Sequence, residues 1–316
     1  MSHRAEAGPH RCASVSCVPR YALGRRLLRP LVRRLLPGAP VGSRAAVATR
    51  ELVVTGADPT PIVATDQGQG PVILLLHAGS SNRSSWDGVA AALSGRFRVL
   101  RFDRWIYRTH LPSPPPAGAA AMAAEVRDVL AVAAGVGAPL LLVGHSSGAV
   151  VALQSALAAP SRFTGILLYE PPLAVVEPLG GEALRRARAA LDAGDPGRAI
   201  TIHAREIART SGFGLAVMRL VPPTWQVLRG YAPAQITDDE AIESLGVGLD
   251  RYARLDLPVL LWAAAAVPRT CVLGSTRWPP CCHDWTRSSS CPGRATWPTC
   301  VRPARSPRSS RPSPTG

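Results

Sequence analysis

There is no lysine in this sequence: all 36 basic residues are arginine. Against 21 acids they give a formal net charge of +15, which on its own suggests a polyanionic partner. The excess is confined to the two ends. Residues 1–50 hold ten arginines and one acid, and residues 262–316 hold eight and one, leaving 18 arginines against 19 acids in the middle. A nearly neutral middle excludes nucleic-acid binding as its main business. Cysteine is missing from the same region: Cys12 and Cys17 precede it, and the other five begin at Cys271. No disulfide framework holds the core, which fits a reducing, cytoplasmic setting. No apolar run reaches 18 residues, so no membrane span is expected. No G-x-G-x-x-G follows a predicted strand, so neither a dinucleotide nor another cofactor is expected.

What is present from residue 51 onward is an alternation of strand and helix patterns. "ELVVTG" and "TPIVATDQG" predict an opening hairpin. "PVILLL" (71–76), "FRVLRF" (97–102), "APLLLV" (138–143), "FTGILLY" (163–169) and "LPVLLW" (257–262) are apolar on both faces, as buried parallel strands are. "WDGVAAAL", Ala120–Val136 and "SGAVVALQSALAA" read as helices between them, with Glu125 and Asp128 on the polar side of the second. The pattern predicts an α/β domain over 51–262, with a mostly parallel sheet flanked by helices. Residues 171–256 interrupt it with the helix patterns "GEALRRARAALDAG" and "GRAITIHAREIART", placed to form a helical cap over the carboxyl ends of the strands. Arg205, Arg209 and Trp225 fall in this segment, where solvation and packing explain them as well as a pocket does.

The segment "LLLVGHSSGAVVAL" joins a strand to a helix through Gly144-His145-Ser146-Ser147-Gly148, a G-x-S-x-G pattern. In that pattern a serine on a tight strand-to-helix turn has its hydroxyl lifted out of the sheet, and small flanking residues let the two backbones approach. The helix N-terminus beneath it favours developing negative charge. Ser146 is the expected nucleophile. The N–H of Ser147, with that of Gly79 or its neighbour Ala78 after the first parallel strand, is expected to form an oxyanion hole. His77 is read as an anchor of that loop, and His145 as packed beneath the turn. Glu170, at the end of "FTGILLYE", is either the acid of a triad or the anchor of the "EPP" turn. Asp103 ends a strand on the same side and is read as holding the following loop.

With "PVILLLHAGS", "FRVLRFDR", "LLLVGHSSGAVVAL" and "ILLYEPP" in that order, the chain resembles the α/β-hydrolase family over roughly residues 55–262, especially its small esterase-like and peroxidase-like branch. The resemblance implies an α/β-hydrolase fold and a serine-dependent hydrolysis of a small ester, lactone or amide substrate without a metal. The alternatives are a cofactor-free perhydrolase and a catalytically inactive protein that binds a small ligand under the cap. Two departures stand out. After "FDR" the family's glycine-rich loop is replaced by "WIYRTH" and "LPSPPP". The family's late histidine, the base that a serine needs, is missing.

The only histidine beyond His203 is His283, in an aberrant tail. Residues 262–316 hold nine prolines, eight arginines, five of the seven cysteines and four of the seven tryptophans. Cys281, Cys282, His283, Cys291 and Cys300 lack the spacing of a closed zinc site. A frame shift near residues 262–266 explains the tail better. Reread one frame over with GC-ending codons, it yields a helix, a histidine-bearing loop and a closing helix in order. The last strand and helix of the fold are then expected to be missing, and "WIYRTH" is suspected of a similar local disturbance. Residues 1–50, with "RRLLRPLVRRLL" broken by Pro30, read as a basic, disordered extension or a start placed too early, the alternative being a short basic amphipathic helix at a membrane surface or a targeting segment.

Overall fold

The computed structural model describes residues 49–56, 60–108 and 117–262, together with the backbone of 271–273. The expectations for the N-terminal segment, for "LPSPPP" and for His283 and its neighbouring cysteines lie outside the described residues.

The predicted hairpin forms as β1 (Thr49–Thr55) and β2 (Pro61–Gln67), paired antiparallel. β3 (Val72–Leu76), β4 (Arg98–Arg101), β5 (Leu140–His145), β6 (Phe163–Tyr169) and β7 (Val259–Trp262) follow. They lie in the order β1-β2-β4-β3-β5-β6-β7 and are parallel from β4 to β7. The central strands are apolar on both faces because both are covered: Leu74, Leu76, Leu100 and Leu142 are fully buried. Each such side chain contributes on the order of 1.5–3 kcal/mol by leaving water.

The chain moves from β3 to β4 on one side and returns to β5 on the other. The strand order therefore reverses between β3 and β5, and in open α/β sheets that crevice, at the carboxyl ends, is where ligands bind. Leu76 of β3 pairs with Gly144 of β5. The loop beginning at His77 and the turn containing Ser146 thus leave adjacent strands at one level.

The covering helices are α1 (Asp87–Leu93), α2 (Ala119–Val136) and α3 (Ser147–Ala158). α2 ends at Gly137, whose φ of 77° closes the last turn with an N–H donated to the Ala134 carbonyl. Glu125 and Asp128 do not face solvent as the pattern suggested. Both are buried, because Arg104 and Arg108 reach them from the loop after β4.

Four further helices make the cap: α4 (Gly181–Asp192), α5 (Pro196–Ile202), α6 (Gly212–Leu220) and α7 (Pro222–Glu243). A π-helical turn, His203–Ile207, continues α5. Leu184, Ala187, Ala199, Ile202 and Ile236 form a small core of the cap's own. Sequence patterning gave α4 and α5 but not α6 or α7. Pro222 and Pro223 occupy the first turn of α7, where no donor is needed. Pro233 lies inside it and removes one backbone bond. Such a run of prolines hides a 22-residue helix.

Beyond β7 the described residues are 271–273 alone, so the expectation for the last strand and helix falls on residues outside those described. The outer edge of β7 is met by β8 (Cys271–Leu273), three residues paired antiparallel to it.

Candidate active site

Ser146 lies between β5 and α3 with φ 52° and ψ −125°, a conformation normally left to glycine. Holding a serine there costs on the order of 1–3 kcal/mol, which the surroundings must supply. They do so with backbone bonds: the Ser146 N–H donates to the Tyr169 carbonyl (2.7 Å), and the Ser146 carbonyl accepts from Ala149 N–H (2.8 Å). The two glycines of the motif are required by space. A Cβ on Gly144 would lie 2.3 Å from the Gly148 carbonyl oxygen, and one on Gly148 would lie 2.4 Å from that of His77. The turn after β3 is therefore pressed against the first turn of α3. Ser146 is half-exposed and Ser147 is buried. As the first residue of α3, Ser147 has an N–H without a partner inside the helix.

The loop after β3 is held from below and from above. His77 is wholly buried; its Nδ1 donates to the Ala78 carbonyl (2.7 Å), and its Nε2 accepts from Arg104 N–H (3.0 Å). That arrangement needs the neutral ring. Burial, aided by the charge of Arg104, lowers the His77 pKa to about 4. His77 is thus the loop anchor that its position suggested. Ser80 follows with φ 48° and donates its hydroxyl to Gln235 Oε1 (2.8 Å). A Cβ on Gly79 would sit 2.3 Å from that same oxygen, so a larger residue here would have to displace the Gln235 amide from its hydrogen bonds.

Beneath this loop lies an ion cluster that sequence reading missed. Arg104, fully buried, donates to Glu125 (3.1 Å), to Asp238 (2.7 and 3.2 Å), to the Ser147 hydroxyl (2.8 Å) and to the His77 carbonyl (3.3 Å). Tyr107 donates to Asp238 (2.8 Å). Burial opposes every charge here, but the two carboxylates outweigh it at Arg104, whose pKa is raised, and the guanidinium outweighs it at Asp238, whose pKa is lowered. At Glu125 burial prevails and the pKa is raised. One cation is thus shared by two carboxylates, Asp238 accepting two of its hydrogen bonds and Glu125 one.

The "WIYRTH" segment is no disturbance over its described part. Trp105, Ile106 and Tyr107 form a buried 3-10 turn that places Arg104 and Tyr107 in the cluster. Nothing local in the sequence signals it, because its partners lie 21, 43 and 134 positions from Arg104.

Asp239, next to Asp238, is buried and accepts from Gln235 (3.0 Å) and pairs with His203 Nδ1 (2.6 Å). Burial works against the protonated His203 ring, yet Asp239 raises its pKa. Asp103 accepts from Arg83 N–H (2.7 Å). It therefore holds the loop after β3, rather than only the one that follows it.

Glu170 ends β6 with φ 50°, its N–H donating to the Trp262 carbonyl (2.8 Å). Its charge acts on His145, opposing the burial that lowers the His145 pKa. His145 stacks on Tyr169 at 4.5 Å and meets Trp86 edge-on at 6.3 Å. The three described histidines of the region, His77, His145 and His203, have these partners, and none hydrogen-bonds the Ser146 hydroxyl. Trp225 lines a cavity in the cap, whereas Arg205 and Arg209 do not. No described helix is long and apolar enough to cross a membrane.

The alpha/beta hydrolase family model matches residues 73–306. The chain belongs to the alpha/beta hydrolase family. The match takes in most of the tail as it stands. Among solved structures, an alpha/beta hydrolase from Sphaerobacter thermophilus superposes with a TM-score of 0.56 at 26% identity, over 69% of this chain and 83% of that one. Among curated proteins, the chain is 34% identical over 120 residues to protein phosphatase methylesterase 1 of Pongo abelii, covering 37% of this chain and 30% of that protein. It is 35% identical over 105 residues to the pimeloyl-[acyl-carrier protein] methyl ester esterase of Aeromonas hydrophila, covering 32% and 37%. The matches thus span about a third of these relatives' length.

Membership gives the switch-point crevice a setting. It is walled by the loop after β3, the turn at Ser146 and the cap helix α7. Tyr231 of α7 accepts from Asn82 (3.1 Å), Gln235 covers Gly79, and Asp238 descends to Arg104. Hydrolase activity in general is what the family supports.

Proposed function

We propose that this protein is a serine-dependent carboxylic ester hydrolase acting on a small ester, with lactones and amides as chemically related substrates. The observation that carries the reading is the positive φ of Ser146 at a strand-to-helix turn whose flanking glycines leave no room for side chains. In this reading Ser146 Oγ attacks the carbonyl carbon, and the N–H groups of Ser147 and Gly79 receive the oxyanion. The Arg104 cluster positions Ser147 and the Gly79 loop without touching substrate. Glu170 is the candidate acid. That two relatives are named methyl ester esterases supports an ester as the substrate.

The base is the weak element. We infer that a nucleotide gained or lost near codons 262–266 has removed the family's late histidine; this rests on the composition of the tail and on the histidine's absence. Sequencing the coding DNA decides it, and an unbroken frame as written sinks it. A second reading is favoured by one observation, the lack of a described histidine on the Ser146 hydroxyl: an inactive member that binds a small ligand under the cap.

A fluorophosphonate separates the two readings. Covalent labelling of Ser146, located by peptide mass and absent in Ser146→Ala, supports the hydrolase. Reversible binding of small esters with no labelling supports the binding protein.

A further inference from the structure

The outward face of α6 is apolar. Leu215 is buried against the protein, and Phe213, Val217 and Leu220, spaced by four and three residues, lie on the opposite side of the helix. Phe213 and Leu220 are each 80% exposed. Large apolar side chains side by side in solvent mark an interaction surface.

Beside them is a cavity of about 470 Å³, lined by Arg198, Arg219, Arg229, Thr201 and Trp225 together with Asp195. Arg219 donates to the Thr201 hydroxyl (2.8 Å) and stacks on Trp225, 5.0 Å from the ring centre. Asp195 caps α5 by accepting from Arg198 N–H (2.8 Å). Among the described residues none of the three guanidiniums forms an ion pair. The surrounding sequence is also one-sided: no acid occurs from Ile207 to Thr237, a stretch with three arginines.

An apolar helix face flanked by arginines without acidic partners, with a tryptophan at the boundary, has the composition of a helix lying in a lipid interface. We propose that α6 and this cavity form a docking surface for an anionic bilayer. The α6 face enters the acyl boundary, and Arg198, Arg219 and Arg229 take lipid phosphates. The proposal does not depend on Ser146 and stands or falls separately from the hydrolase reading.

The test is hydrogen exchange on the full chain with vesicles of phosphatidylglycerol in phosphatidylcholine, pure phosphatidylcholine vesicles, or inorganic phosphate. The expected result is protection of 210–229 by the anionic vesicles alone, fading as salt rises. Replacing all three arginines with alanine is expected to weaken vesicle binding about 100-fold. Phe213→Ser with Leu220→Ser is expected to abolish protection while leaving the exchange of the sheet unchanged. No protection of 210–229 overturns the proposal, even when the protein pellets with vesicles, because binding then uses another segment. Equal protection by inorganic phosphate overturns it in favour of a soluble-anion site.

Discussion

Two sets of arginines in this chain have opposite surroundings. Arg104 is sealed in the core with Glu125 and Asp238 on its nitrogens. Arg198, Arg219 and Arg229 are exposed around a cavity that contains one carboxylate, already used as a helix cap. The same residue type is structural where its charge is matched and available where it is not. With arginine the only basic residue, overall charge says nothing of this; the neighbours decide.

Removing the core partner tests the contrast most severely. Arg104→Met strands two buried carboxylates and is expected to cost about 3–5 kcal/mol of stability, read from urea midpoints. A loss below about 1 kcal/mol would show that the cluster holds nothing together.

The neighbouring His77 gives the next largest effect. Its pKa is lowered in the fold, so the unfolded chain binds the extra proton first. Its contribution is complete above about pH 6.5 and is lost as pH falls towards about 4. The expected loss is about 3 kcal/mol over that window. His77→Gln, which keeps one donor and one acceptor, is expected to flatten the curve. His203 runs the other way. With its pKa raised by Asp239, its support of the cap is present below about pH 6.5 and fades as pH climbs through the raised value. Chemical-shift titration of its ring reads that direction.

Half-buried pairs fall between the extremes. Arg188→Ala removes a two-pronged contact with Glu240 and is expected to cost about 1 kcal/mol. At the exposed end, Arg219→Ala is expected to change the melting midpoint little, within about 0.5 kcal/mol. A large loss there would turn the cap arginines into structural ones and erase the contrast.

The sheet was legible in the sequence because its strands are apolar on both faces, a pattern that few other structures produce. So was the turn at Ser146, whose glycines and flanking strand and helix are all local. The Arg104 cluster was not. Its members lie at positions 104, 125 and 238, and only the fold brings them together. Glu125 and Asp128 were placed on a polar face because a carboxylate's burial depends on a partner that periodicity does not show. α7 was hidden by its prolines, and with it Gln235, Asp238 and Asp239, the side chains that join cap to core.

That junction bears on how material enters and leaves. A cap that swung away as one rigid body would have to pull Asp238 off Arg104, leave both charged in a dry interior, and free Tyr231 and Gln235 as well. Such an opening resembles partial unfolding more than hinge motion and is correspondingly infrequent. The buried Asp238–Arg104 pair therefore sets a floor under the free energy of lifting the cap as one body.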